Sequence, residues 1–110
     1  MINLHNKKFK ALSNSDNGEV SQDTIFHYRQ KDKIIWATYE GGDVLFGTLS
    51  GRISNHELEF TYQHQNLRGD FMTGHCTTFI KEEKDKILLH ETWQWTSGDH
   101  SSGTSTLIEV

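Results

Sequence analysis

Apolar and polar side chains alternate along most of the chain, which is the pattern of β-strands buried on one side. In the stretch 58–64, for example, Leu58, Phe60 and Tyr62 alternate with polar residues. Nine glycines and no proline fit paired strands, because proline cannot donate to a ladder and glycine suits turns and bulges. The predicted strands are Phe9–Asn14, Thr24–Gln30, Ile34–Glu40, Val44–Ser50, Leu58–His64, Phe71–Ile80, Ile87–Thr96 and Thr104–Val110.

The connections between these strands are short. Asn17-Gly18 is a strong hairpin signal and Gly41-Gly42 predicts a tight reversal. Short reversals force antiparallel neighbours, and a meander of eight strands loses its exposed edges by closing on itself. We therefore predict an all-β fold, a single eight-stranded antiparallel up-and-down barrel forming one domain over residues 1–110. Such a barrel either fills with its own side chains or holds one small ligand.

Length and charge narrow the classes of partner. The 110 residues suit one domain, and a net charge of -4 without a basic stripe argues against nucleic acid. No stretch approaches the ~20 apolar residues of a membrane span. Cys76 is the only cysteine, which excludes an internal disulfide and suits a reducing compartment. We expect a cytoplasmic protein without nucleic-acid or membrane partners.

The most informative stretch runs from Leu89 to Asp99. Glu91, Trp93 and Trp95 occupy alternate positions, so on a strand they share one face. The intervening side chains are all polar, which makes the aromatic face the buried one. Glu91 is therefore a carboxylate directed into the interior. There it needs a hydrogen-bonding or ionic partner, or it has a functional role.

Pairing the neighbouring strands suggests which residues share that face. If residues 80–86 form a turn, His75 lies opposite Glu91 and Thr73 lies opposite Trp93. If residues 65–70 form the preceding loop, His75 also lies opposite Phe60. On the strands before these, the turns leave the faces open, and only Phe26 and Tyr28 are expected to point the same way. The candidate ligand-binding residues are Tyr62, His64, His75, Glu91, Trp93 and Trp95 from the paired strands, with Tyr28 as a further stacking surface.

An aromatic lining with a few convergent polar groups is typical of a small-molecule pocket, so we predict a ligand-binding barrel whose ligand the sequence does not identify. One alternative is a cofactor-independent lyase, isomerase or hydrolase that uses His75 and Glu91 as acid and base. No cofactor is predicted. Two imidazoles and a carboxylate could bind zinc or iron, but no H-x-H or H-x-x-x-H spacing occurs, and no metal is predicted.

Two further alternatives assign no ligand. The aromatic residues could be an ordinary core, with His75 and Glu91 satisfying one another. The barrel could also be a structural or protein-interaction module, forming a homo-oligomer through an outer apolar face. The candidate residues for that face are Leu45, Leu49, Leu88 and Leu107.

Four segments carry a resemblance to known proteins. They read A-L-S-N-S-D-N-G-E-V from Ala11, Y-E-G-G-D from Tyr39, M-T-G-H-C from Met72 and H-E-T-W-Q-W-T-S-G-D-H-S-S-G-T-S from His90. The chain resembles a family of small uncharacterised bacterial proteins that often carry the name N-acetylglutamate synthase. This resemblance implies a cytoplasmic bacterial protein and carries over no catalytic residues.

Acetyl transfer itself is not supported by the residues. The usual acetyltransferase fold holds the cofactor pyrophosphate on a glycine-rich turn that opens a helix, and no two glycines here are two positions apart. At the level of fold, the predicted barrel is similar to the calycin superfamily of lipocalin-like and avidin-like barrels, although the lipocalin G-x-W signature is missing.

Overall fold

The computed structural model describes residues 2–110, which form a closed barrel of eight antiparallel strands. Each strand pairs with the next along the chain, and β8 pairs back onto β1. The predicted fold class is therefore confirmed. The strands are β1 (Lys8–Asn14), β2 (Ile25–Lys31), β3 (Ile34–Gly41), β4 (Val44–Ser54), β5 (Glu57–Asn66), β6 (Phe71–Glu83), β7 (Lys86–Trp95) and β8 (Ser102–Glu109). No helix in this part of the chain is long and apolar enough to cross a membrane.

The two ends of the barrel differ in their connections. At one end, here called the base, two-residue turns at 32–33, 55–56 and 84–85 join the strands. Asp32, Asn55, Lys84 and Asp85 adopt positive φ there, the conformation that matches a tight turn to the twist of its strands. At the other end, the mouth, the loops 15–24, 67–70 and 96–101 are longer, and a two-residue turn at 42–43 joins β3 to β4.

The interior differs between the same two ends. Aliphatic side chains fill the base, and Leu4 of the N-terminal segment closes it. The members of this aliphatic group with no exposed surface are Leu4, Ile35, Leu58, Ile80, Leu89 and Leu107. Towards the mouth, the inward positions of the same strands carry aromatic and polar side chains instead.

The predicted register of β6 is wrong on both sides. A two-residue turn at 84–85 connects β6 to β7, so Glu91 pairs with Thr78 and Trp93 pairs with Cys76. On the other edge, Phe60 also pairs with Cys76. These registers differ from the predicted ones by an odd number of residues, which turns every side chain of the strand to the opposite face.

As a result, β6 directs Gly74, Cys76, Thr78 and Ile80 inwards. His75 and Thr73, which were predicted to face the interior, lie on the outer surface. The predicted contact between His75 and Glu91 therefore does not exist. The Cys76 side chain is buried and points into the barrel, on the same side as the aromatic face.

Candidate functional site

The mouth half of the barrel contains a cavity of about 40 Å³. One water occupies roughly 10–15 Å³ on this scale, so the space suits a few non-hydrogen atoms. Aromatic rings from four strands contribute to its wall: Phe26, Tyr39, Phe60, Tyr62, Trp93 and Trp95.

Three of these rings have room because the residue paired with each on the neighbouring strand is a glycine. Tyr39 pairs with Gly47, Tyr62 with Gly74 and Trp93 with Gly103. A Cβ atom at any of these glycines would overlap the ring of its partner. The glycines thus allow the aromatic rings to pack directly against the backbone of the barrel wall. This packing determines the width of the cavity.

Glu91 is one of two carboxylates in the cavity wall, the other being Glu19. Glu91 is 8% exposed, and Ser105 Oγ donates a hydrogen bond of 2.7 Å to its Oε1 atom. Within residues 2–110, the other oxygen, Oε2, has no hydrogen-bond partner and no cationic side chain pairs with the group. Burial raises the pKa of Glu91 to about 7, although the Ser105 hydrogen bond opposes the shift.

Two fully buried polar atoms lack a partner in the described part of the chain, Tyr28 Oη and Asn14 Oδ1. Asn14 belongs to the cavity wall. Tyr28 is fully buried, and burial together with the charge of Glu91 raises the pKa of its hydroxyl well above the usual value. Unsatisfied buried groups are costly, so the interior retains hydrogen-bonding capacity that the protein itself does not use.

Glu19 ties the loop 15–24 to the mouth. Its Oε1 lies 2.7 Å from His64 Nε2, and its Oε2 accepts bonds from Asn66 Nδ2 at 3.0 Å and from Arg68 at 2.9 Å. His64 is itself held through Nδ1, which lies 2.9 Å from the Tyr39 hydroxyl. The same loop accepts a 3.0 Å bond from Trp95 Nε1 at the carbonyl of Asn17. Loop and cavity wall therefore form one connected network.

Comparison with known protein families identifies the family of this barrel. The family model described as avidin-like protein matches residues 2–110. The chain belongs to the avidin-like family. Neither a curated protein nor a solved structure matches it. The fold-level similarity to avidin-like barrels is thereby confirmed, whereas the resemblance to proteins named N-acetylglutamate synthase is not.

This avidin-like barrel brings five of the seven predicted site residues to the cavity. Tyr62, His64, Glu91, Trp93 and Trp95 line its wall. Tyr28 faces inwards but is not part of the cavity lining. His75 lies on the outer surface and is not part of the site.

Sequence reasoning missed Asn14, Glu19, Tyr39 and Ser105, which also line the cavity. Tyr39 had a detectable signal, because Ile35, Ala37 and Tyr39 alternate with polar or exposed positions along β3. Ser105 follows from the pairing of β8 with Glu91. Glu19 lies in a loop, and no periodic pattern indicates its contact with a histidine 45 positions away.

The structure also bears on three alternatives from the sequence: an acid–base pair, a metal site and an outer apolar face. An acid–base pair of His75 and Glu91 is excluded by the position of His75, and the described residues contain no cluster of three or more metal-ligating side chains. The proposed outer face is also wrong in part, because Leu49 and Leu107 point inwards while Leu45 is exposed. Homo-oligomerisation stays a prediction that needs a different surface.

Proposed function

We propose that this avidin-like protein binds a small molecule in the cavity bounded by Trp93, Trp95, Tyr62 and Glu91. The observation that carries the proposal is Glu91, a largely buried carboxylate in the wall of an aromatic cavity, of whose two oxygens only Oε1 has a protein hydrogen bond. A carboxylate largely removed from water costs free energy unless it is paired, and a bound molecule with a hydrogen-bond donor supplies that partner at Oε2.

The surroundings of Glu91 support this function. Aromatic rings provide large contact areas for a ligand, and a few polar groups among them fix its orientation. Asn14 and Ser105 contribute neutral polar groups to the wall. Eight-stranded barrels of this size hold one small ligand in lipocalins and in streptavidin, whose ligand is biotin.

The cavity volume favours a compact ligand. About 40 Å³ accommodates a few atoms and not the fused rings of biotin. A larger molecule would have to displace the loop 15–24, which Glu19 ties to His64, Asn66 and Arg68. Ligand size is therefore a direct test of whether this loop moves.

Tryptophan fluorescence offers a site-specific assay. Trp36 is 40% exposed on the outer surface, so the variant Trp36→Phe leaves emission only from Trp93 and Trp95 in the cavity wall. Titration of this variant with short alkylamines, carboxylic acids, small amides and biotin should show saturable quenching for at least one class. In the same background, Trp93→Phe and Glu91→Gln should each weaken that binding at least about tenfold, equivalent to ~1.4 kcal/mol.

A matched control separates the cavity from the outer surface. Glu59→Gln changes a carboxylate of β5 on the exposed face and should leave every titration unchanged. If no compound binds, or if binding is equally strong in Glu91→Gln and Trp93→Phe, the cavity is an ordinary core and the proposal is wrong.

A further inference from the structure

The charges around the cavity are unbalanced. Glu19, at the mouth, is compensated by Arg68 and hydrogen-bonded to His64. Glu91, deeper in the barrel, receives only the neutral Ser105 hydroxyl. Within residues 2–110 no lysine, arginine or histidine approaches Glu91 to within an ion-pair distance, so its negative charge has no counterion.

Neutral groups face Glu91 from the surrounding strands: Tyr28 on β2, Tyr39 on β3, Tyr62 on β5, Cys76 and Thr78 on β6, and Ser105 on β8. Burial raises the pKa of each of the three tyrosines and of Cys76 far above neutrality, so these four groups neither gain nor lose charge between pH 5 and pH 9, a range in which Glu91 titrates. The same cavity is also lined at its mouth by Glu19 and His64, which lie 2.7 Å from one another. Because these two residues remain in Glu91→Gln, that variant separates their contribution to any pH dependence from that of Glu91.

The aromatic wall next to Glu91 is continuous. The ring centroids of Trp93 and Trp95 are 5.4 Å apart, those of Trp95 and Tyr62 5.8 Å, and those of Tyr62 and Phe60 6.3 Å. Aromatic faces attract cations within about 6 Å through their quadrupole, most strongly when water is excluded. A carboxylate set among such rings is the arrangement that recognises an ammonium group carrying small alkyl substituents.

We infer that the cavity binds a small monovalent organic cation of the alkylammonium class, about the size of trimethylammonium, with its N–H directed to Glu91 Oε2. This inference rests on the proposed function and specifies its ligand class. The volume of about 40 Å³ matches a compact ligand of this kind. The methyl groups contact the aromatic rings, and the positive charge supplies the counterion that the protein lacks.

Cation binding is coupled to the ionisation of Glu91. Burial raises the pKa of this carboxyl group to about 7 in the empty barrel. An ammonium ion binds the ionised form, so affinity should rise about tenfold per pH unit below pH 7 and level off above it. Binding at pH 6 should release close to one proton per ligand.

The test compares trimethylammonium with tert-butanol, a neutral molecule of similar shape, on the Trp36→Phe variant. At pH 8 trimethylammonium should quench the emission saturably and bind at least about tenfold more tightly than tert-butanol. Calorimetry at pH 6 in buffers of different ionisation enthalpy should report the released proton. Glu91→Gln should lose the preference for the cation, and Glu59→Gln should retain it.

Three outcomes overturn the inference: equal affinity for the two probes, an affinity for trimethylammonium that does not change between pH 6 and pH 8, or undiminished cation binding in Glu91→Gln. If trimethylammonium fails while another compound binds in a Trp93-dependent manner, the ligand class is wrong and the proposed function stands. If no compound binds, both are wrong.

Discussion

At the base of the barrel, two-residue turns join the strands and aliphatic side chains such as Leu58, Ile80 and Leu89 are fully buried. At the mouth, three of the four connections are longer loops, and the cavity wall carries aromatic rings, two carboxylates and a histidine. A base made only of apolar atoms gains free energy from burial, whereas a mouth with unpartnered polar groups loses some of it. The comparison assigns stability to the base and the candidate binding residues to the mouth.

The largest expected effect comes from Leu89→Ala at the base. Leu89 has no exposed surface, so removing its side chain leaves a cavity among aliphatic neighbours and should lower the free energy of unfolding by about 2–5 kcal/mol. Urea denaturation measures the change. The control Leu45→Ala, at a position that is 56% exposed, should stay within about 0.5 kcal/mol of the parent. A loss below about 1 kcal/mol for Leu89→Ala would contradict the assignment of stability to the base.

The second-largest effect is expected at the mouth. There, Glu91→Gln should raise the free energy of unfolding at high pH. Burial raises the pKa of Glu91 to about 7 in the folded protein, while an unfolded glutamate titrates near ~4.3. Between these values the folded protein binds a proton that the unfolded chain has released, so stability falls as pH rises and becomes constant above about pH 7. The total loss is on the order of 3 kcal/mol.

Urea unfolding at pH 5, 6, 7 and 8 tests this linkage. The difference in stability between Glu91→Gln and the parent should grow with pH up to about 7, in favour of the variant. Glu59→Gln, on the exposed face of β5, should run parallel to the parent. Parallel curves for Glu91→Gln as well would show that Glu91 is solvated rather than buried.

A smaller effect is expected where rings lie over glycines. A Cβ added by Gly47→Ala overlaps the Tyr39 ring, and such overpacking should cost about 1–3 kcal/mol. In a Tyr39→Ala background the same change should cost much less, because the ring is gone. A double-mutant cycle with near-UV circular dichroism measures both the coupling and the displaced ring. Additive effects would mean that the ring and the glycine do not contact each other.

The smallest effect concerns the turns of the base. Asp85 adopts φ 67°, a conformation that glycine accepts without strain. Asp85→Gly should therefore stabilise the protein, but by less than about 1 kcal/mol, because glycine also gains freedom in the unfolded chain. Lys86→Gly, in the adjoining strand, should instead destabilise by about 0.5–1 kcal/mol. Thermal unfolding distinguishes the two signs.

The sequence predicts the strands of this molecule better than the way in which neighbouring strands pair. The alternation of apolar and polar residues is a local property, and it gave all eight strands, the closed antiparallel barrel and the shared face of Glu91, Trp93 and Trp95. The register of β6 depends instead on the turn 84–85, where Lys84 and Asp85 adopt positive φ without the glycine or asparagine that usually marks such a turn.

One signal could have corrected that register. Gly74 lies inside a strand, and a glycine there often marks the close approach of a neighbouring group, in this protein the Tyr62 ring. The contact between Glu19 and His64 had no such signal, since a loop residue meets a strand residue 45 positions away. Cytoplasmic localisation stays a prediction.

The closed base also imposes a direction on anything that enters. With Leu4 and its aliphatic neighbours filling one end, the cavity is reached from the mouth, so a ligand of the proposed alkylammonium class that is longer than the cavity would enter charged head first and leave its tail at the mouth. Chemical changes to that tail would then be tolerated, while changes to the head would not. A ligand tethered through its tail to a solid support would still present its head to the barrel, which makes the protein accessible to affinity capture.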